Sequence, residues 1–410
     1  MATFRDVFAF WVFLTLSSWN KVALSAGEPP VKMTVLLPFT SVYRDIGDAV
    51  RDGFLLGVEK QSKILGIDSK TLLDVQFVDS KADVPTARDL VKAAIGNGAK
   101  IIGGVVSSDV AMAVQSEAQA SKVPLIIFGA AGTPKVRSDS GRFLRLTFSN
   151  YQPPYGLAAW LRNQGPYSKS SVKKKYACIH ADYQAGIDYC DGFKMGFGDA
   201  GTEIGRVPVP FRTVDKSPFL VQLKGLKPDF AYAFFAGSDA EIFLTEYYKF
   251  QLHKNIPLTV TGDVFAPKLL EAYNQTAKQF STGDGVYFSS HWAPSLENMA
   301  NKEFLQAFRE KYQRDPSHFA LHGYDGGRLV IDGLNKNRMP ESLINTMRHA
   351  DIPSPRHGKP IRFDSGGDPI NPQYIFLTRI ENGKIKINQV GTIESLDFDD
   401  ILKNKGSTAH

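Results

Sequence analysis

Residues 101–133 read IIGGVVSSDVAMAVQSEAQASKVPLIIFGAAGT, and this stretch decides the fold. An apolar run over 101–106 carries no polar alternation and ends in Ser107-Ser108-Asp109, which can cap the helix that then runs to Ser121. A second apolar run over 123–128 ends in Gly129-Ala130-Ala131-Gly132-Thr133. Strands this rich in β-branched residues, with a helix between them, belong to a parallel sheet covered on both faces.

The same alternation extends in both directions. Upstream, the strand Val31–Leu37 stops at Pro38, and a polar loop with Thr40, Ser41 and Tyr43 follows. A helix begins near Asp45, with Ile46, Val50, Phe54 and Val58 at helical spacing. Residues 72–78 are the next strand and 85–95 the next helix. Downstream the pattern restarts with strands at 176–179, 203–209, 230–235, 258–262 and 286–288. Helices fall between them, one with Ser217 as N-cap and Pro218 at N1, others from about Ala240 and Pro267. Helices return over 301–312, 317–335 and 341–350. The strands at 361–363, 374–379 and 384–388, joined by SGGD and ENG turns, predict antiparallel ribbons. The expected class is α/β, with two doubly wound Rossmann-like lobes.

A chain of 410 residues with 43% hydrophobic and 22% charged residues is ordinary for a globular protein, which excludes wholesale disorder. The formal charge of +6 is interleaved along the chain, and only Lys173–Lys175 forms a basic run, so no nucleic-acid partner is expected. Residues 7–16 (VFAFWVFLTL) are uninterruptedly apolar but half the length needed to span a bilayer. Ala23-Leu24-Ser25 follows as a cleavage site, which makes residues 1–25 an expected secretory signal peptide cleaved near Ser25. Its removal takes Arg5, Lys21 and Asp6 and leaves a charge of +5. Export places Cys178 and Cys190 in an oxidising compartment. One lies on a strand and the other on the following helix, and both readings, a disulfide and two buried thiols, stay open.

No P-loop, HExxH or G-x-S-x-G motif is present, and Gly96-Asn97-Gly98 lacks the third glycine of a dinucleotide fingerprint. His180 and His291 follow strands as polar wall residues, without a triad or metal spacing. An enzyme is not expected, nor a cofactor or a metal. Polar residues gather instead where strands end, the edge at which open α/β sheets bind ligands. Ser107 and Ser108 at a helix N-terminus suit a carboxylate. Tyr43 and Tyr183 occupy equivalent post-strand loops and can flank a ligand. Asp263, after the 258–262 strand, can pair with an ammonium or cap a helix.

Four stretches, VKMTVLLPFTSVYRDIGDAVRDGFLLGVE, the segment quoted above, KKYACIHADYQAGIDYCDGFKMGF and FLQAFREKYQRDPSHFALHGYDGGRLVIDGL, are similar to one family in the right order. The chain resembles the type I periplasmic solute-binding proteins of ABC transporters, in the Leu/Ile/Val-binding group. The resemblance implies two lobes joined by three crossover segments, with lobe 1 from 31–148 and 291–354 and lobe 2 from 149–290 and 355–410. It also implies a periplasmic monomer that closes on a small solute and docks to an inner-membrane permease with its cytoplasmic ATPase. By position, Ser107 or Ser108 and Ala130 would hold a carboxylate, and Asp263 an ammonium. The family's usual threonine after the fourth strand is replaced by Ala131 or Gly132. Its tyrosine before the next lobe's loop glycine is Ala185, with Tyr183 two residues earlier, and the second lobe's tyrosine falls at Ser238 or Asp239. The carboxylate hold is kept while the amino acid clamp is altered. The group also carries aromatic acids, amides and urea, and the same fold serves ligand-sensing receptors.

Overall fold

The computed structural model describes residues 28–138, 140–262, 266–280 and 283–407. The expected signal peptide and Asp263 lie outside the described residues. The first sheet contains β1 (Val31–Leu37), β2 (Leu73–Asp79), β3 (Ile101–Gly104), β4 (Leu125–Ile127) and β5 (Phe143–Arg145). All are parallel, in the order β2-β1-β3-β4-β5. Between them run α1 (Arg44–Leu65), α2 (Val84–Gly96) and α3 (Ser108–Ala120). Leu36, Ile102, Leu125 and Ile127 pack against α2 and α3, whereas Met33, Val35, Ile101 and Ile126 enter the core shared with α1. Neither face is wet, which is why these strands read as continuous apolar runs.

After α4 (Gln152–Asn163) the chain builds a second sheet from β6 (Lys174–Asp182), β7 (Gly201–Pro210), β8 (Phe230–Phe234), β9 (Leu258–Thr261) and β10 (Tyr287–Ser290). Its intervening helices are α5 (Gln184–Phe197), α6 (Ser217–Leu226), α7 (Ser238–Lys249) and α8 (Pro267–Phe280). On β6, Tyr176 and Cys178 join the core under α5, and Ala177, Ile179 and Ala181 join the opposite core with residues of α6 and α7. The chain then returns to the first lobe as α9 (Met299–Tyr312), α10 (His318–Lys336) and α11 (Pro340–Arg348). Helices α1 and α10 pack with almost no gap. A Cβ on Gly57 would lie 2.2 Å from the Tyr324 carbonyl oxygen, and one on Gly327 2.2 Å from that of Phe54. Strands β11 (Arg362–Phe363), β12 (Pro369–Glu381) and β13 (Lys384–Leu396) add antiparallel ribbons to the second sheet, and α12 (Phe398–Ser407) ends the described chain.

The chain thus passes between the sheets three times, over 146–151, 291–298 and 349–361. Buried Arg356 ties the first and third passages together. Its Nη1 donates to Thr147 O at 3.0 Å, and its Nε donates to Asp325 Oδ2 on α10 at 3.2 Å. Arg145 on β5 pairs with buried Asp368, and Arg137 Nη2 reaches Asp364 Oδ2 at 2.7 Å and Asp399 Oδ1 at 2.8 Å.

Some local readings need correction. Lys216, not Ser217, is the N-cap of α6, because Asp215 Oδ1 draws the Ser217 amide (2.9 Å) and hydroxyl (2.6 Å) into a turn of their own. Strand β5 is only three residues long and α12 follows the last ribbon directly; the sequence pattern showed neither. Cys178 and Cys190 form a disulfide, with Cα atoms 6.0 Å apart, because α5 folds straight back over β6.

Candidate functional site

The site begins with a strained turn. Gly104 (φ 94°) and Val105 (φ 63°) both adopt left-handed backbone after β3. For a β-branched residue that conformation costs on the order of 1–3 kcal/mol, and such outliers gather at functional loops. The turn swings Ser107 and Ser108 toward the second lobe at the start of α3. Gly129, after β4, fits against it only because it lacks a Cβ, which would sit 1.9 Å from Val105 O.

Ser107 is the N-cap residue of α3, yet neither serine spends its hydroxyl on capping the helix. The first backbone N–H groups of α3 have no partner within the helix and carry its positive dipole end. Ser107 is half-buried, whereas Ser108 is buried and its Oγ accepts from Asn150 Nδ2 at 3.2 Å. Ala130 borders the same cavity, but its amide already donates to Val105 O at 3.1 Å, so it offers an apolar wall and not a free donor.

Tyr43 precedes α1, and Tyr183 precedes α5 in the other lobe. Their hydroxyls meet across the cleft at 2.9 Å. Phe211 stacks on Tyr43 at 5.6 Å and meets Tyr183 edge-on at 5.4 Å, while Phe234 packs on Tyr189 at 4.2 Å. Burial pushes the Tyr43 phenol well above its usual range, against the opposing effect of the Tyr183 hydrogen bond. Ile46, Ala185, Ala236 and Phe319 complete the lining, and none of the described lining residues carries a formal charge. The enclosed volume is about 30 Å³, room for one or two waters. An organic acid enters only when the tyrosines part.

The structure therefore brings together Tyr43, Ser107, Ser108, Ala130 and Tyr183 from the sequence reading. It does not bring Ala131 to the cavity, because that residue is fully buried in the core behind α3, its amide aimed at Val105 O. Ser238 begins α7 and lies off the lining, two residues past Ala236, which takes the lining position. Neighbouring Asp239 is committed to Lys216 Nζ at 2.6 Å, a pairing that opposes the upward push of burial on its carboxyl. His180 and His291 are buried and line neither lobe's side of this cavity; His291 instead meets His322, Nε2 to Nε2, at 2.7 Å. A larger cavity of about 460 Å³ lies beside the second passage, between Trp292, Leu270 and Pro316, where Arg309 and Asp315 pair with each other at 2.6 Å.

The sequence reading missed Asn150, Phe234 and Phe319. Asn150 was visible as a polar residue on a run (SNYQPP) between an apolar strand and a proline-started helix. The two phenylalanines gave no signal apart from the core, since which face they present is set by the packing of the lobes.

Two sheets with parallel strands, facing each other across polar strand ends and joined by three passages, define a two-lobed solute-binding protein. Residues 30–384 match the family model described as periplasmic binding protein, and the chain belongs to that family, in its type I, branched-chain amino acid branch. It is 23% identical over 392 residues to the "Leu/Ile/Val-binding protein homolog 6" of Brucella suis, covering 92% of this chain and 95% of that protein. Among solved structures it is similar to a solute-binding protein of an ABC transporter from Rhodopseudomonas palustris BisB5 in complex with 3,4-dihydroxybenzoic acid. That match has 26% identity and a TM-score of 0.77, covering 90% of this chain and 99% of that one. A second, from R. palustris in complex with benzoate, has 25% identity and a TM-score of 0.76, covering 90% and 98%. The chain is a substrate-binding protein of the ABC transporter class and not an enzyme. No helix among the described residues is long and apolar enough to cross a membrane.

Proposed function

We propose that this protein is the exported binding component of an ABC importer and that it holds a small aromatic carboxylate between its lobes. The observation that carries the reading is the pairing of one anion-seeking feature with an uncharged aromatic enclosure. Ser107, Ser108 and the α3 amides supply donors, while Tyr43, Tyr183 and Phe234 supply apolar walls. An amino acid needs a carboxylate for its ammonium, and none of the described lining residues supplies one. The benzoate and 3,4-dihydroxybenzoic acid complexes of the two R. palustris relatives support the same ligand class.

Binding works by closure of lobe 1 (31–148 and 291–354) on lobe 2 (149–290 and 355–410), since the ligand touches both only when they meet. The closed monomer then presents one lobe to each half of the permease. The leader over residues 1–25 delivers it to the periplasm. A titration of the mature protein with benzoate, 4-hydroxybenzoate, leucine and urea tests the ligand class. The aromatic acids are expected to raise the melting temperature in a concentration-dependent way, with a stabilisation of about 2.7 kcal/mol at a hundredfold excess over Kd. Stabilisation by leucine alone moves the protein to the amino acid binders, and stabilisation by urea alone removes the anion argument.

A further inference from the structure

We propose that Asn150, on the first passage between the lobes, fixes which way the Ser108 hydroxyl points and thereby sets selectivity for a carboxylate over a neutral amide. The inference rests on the aromatic-carboxylate reading and deepens it. Asn150 is 1% exposed, and its amide N–H donates to Gly132 O at 2.6 Å. Its Oδ1 packs directly on Gly132, where a Cβ would stand 2.2 Å from it, so the glycine is what admits the side chain in this position.

The Asn150 NH2 group meets two partners from different lobes. It donates to Asp188 Oδ2 on α5 at 2.9 Å and to Ser108 Oγ on α3 at 3.2 Å. Asp188 also receives Gln184 Nε2 at 2.7 Å and the Thr133 hydroxyl, and Lys135 Nζ holds Gln184 Oε1 at 2.7 Å. A carboxylate facing three donors acts only as an acceptor. That settles the orientation of the Asn150 amide: its NH2 end, not its oxygen, faces both partners. Ser108 Oγ thus accepts on its inner side, and its single proton is left for the cavity. While Asp109 in the same turn accepts from the Gln184 backbone amide, the Ser108 hydroxyl and the first α3 amides present donors to the cavity. A carboxylate satisfies all of them, whereas the NH2 end of a carboxamide meets donors with donors.

Exchanging the two side chains tests this without changing net charge. In Asn150→Asp/Asp188→Asn the inner pair survives, but the acid now faces Ser108 and draws its proton inward. Benzoate affinity should fall at least tenfold, as expected for a lost hydrogen bond to a charged group, and the preference for benzoate over benzamide should narrow. Ser108→Ala should weaken benzoate in the natural background and change nothing further in the exchanged one. A folded exchange variant that keeps both affinity and preference overturns the inference. If that variant does not fold, the natural protein labelled with 15N-asparagine serves instead. The Asn150 NH2 signals should be exchange-protected and shift with benzoate, and unprotected, unmoved signals overturn the inference. Natural protein that binds neither compound overturns the ligand reading and this inference together; benzoate binding that the exchange leaves intact overturns this inference alone.

Discussion

Acidification should weaken the fold through one pair of histidines, and the structure gives the size of the effect. His322 Nδ1 lies 3.0 Å from Gly129 O, a group that only accepts, so Nδ1 carries the proton. His322 Nε2 is then a lone pair, and His291 Nε2 donates to it across 2.7 Å. Both rings are neutral and at most 1% exposed, with the Phe148 ring 5.2 Å from His291 and 5.8 Å from His322. Burial holds both well below the ordinary imidazole range. Arg356 from the third passage and His318 on α10 oppose a positive charge on either, and His357 adds to this at His291. The unfolded chain, with imidazoles near 6.5, therefore binds more protons than the native one below that pH, so stability falls as pH falls. From pH 7.5 to 5.5 the loss integrates to about 1 kcal/mol per histidine. Urea unfolding of natural protein and His322→Gln at both pH values isolates one of them. The stability advantage of the natural protein over the variant should shrink by about 1 kcal/mol between pH 7.5 and 5.5. A difference that stays constant with pH would refute the assignment of His322 as a buried neutral ring.

Other outcomes follow from the packing. Replacing Cys178 and Cys190 by serine opens a loop of sequence separation 12 and should lower stability by about 3 kcal/mol, read as a lower melting temperature that reductant reproduces in the natural protein. Asp368→Ala strands fully buried Arg145 without its counter-charge and should cost about 3–5 kcal/mol in chemical denaturation; a loss under 1 kcal/mol would mean the guanidinium is satisfied by its carbonyl partners alone. Gly327→Ala pushes a methyl into the Phe54 carbonyl, so α1 and α10 must part, at a cost of about 1–3 kcal/mol; an unchanged melt would show that the helices have slack.

What could be read from the sequence divides along a physical line. Strands such as β1, β3 and β4 are buried on both faces, so each declares itself as an apolar run, and the residue after it marks the ligand edge. Tyr43, Ser107, Ser108 and Tyr183 were legible for that reason. Strand β5 has three residues and is identified only by its ladder with β4. Helix α12 has Asp399 and Asp400 in its first turn, a signal consistent with the helix dipole, but its apolar face is too short to stand out. Asp239 and Asp263 each follow a buried strand, and nothing in the sequence says which of them is already paired. Only the Lys216 partner, 23 residues away in the chain, shows that Asp239 is spent. The pairing of Cys178 with Cys190 depends on how sharply α5 returns over β6, which no spacing rule fixes.

The closed arrangement is held by individually modest contacts between the lobes, Lys135 Nζ to Gln184 Oε1 at 2.7 Å and the Tyr43–Phe211 stack at 5.6 Å among them. Lys268 and Asp45 bridge α8 and α1 at 2.8 Å, but both side chains are more than 60% exposed, and such pairs contribute little. The Tyr43–Tyr183 hydrogen bond adds on the order of 1 kcal/mol. Moving a two-lobed protein from mostly open to mostly closed takes about 5.5 kcal/mol of differential affinity. Neither of these two contacts reaches that alone, and on the proposed reading an aromatic acid adds to them, with charge met at α3 in one lobe and ring surface covered by Tyr183 and Phe234 in the other. A solute offering only one of the two, an acetate or a benzene, touches one lobe's chemistry and leaves the hinge unmoved. On the proposed reading, selectivity and closure are the same free energy, shared by the two lobes through the Ser108–Asn150–Asp188 chain.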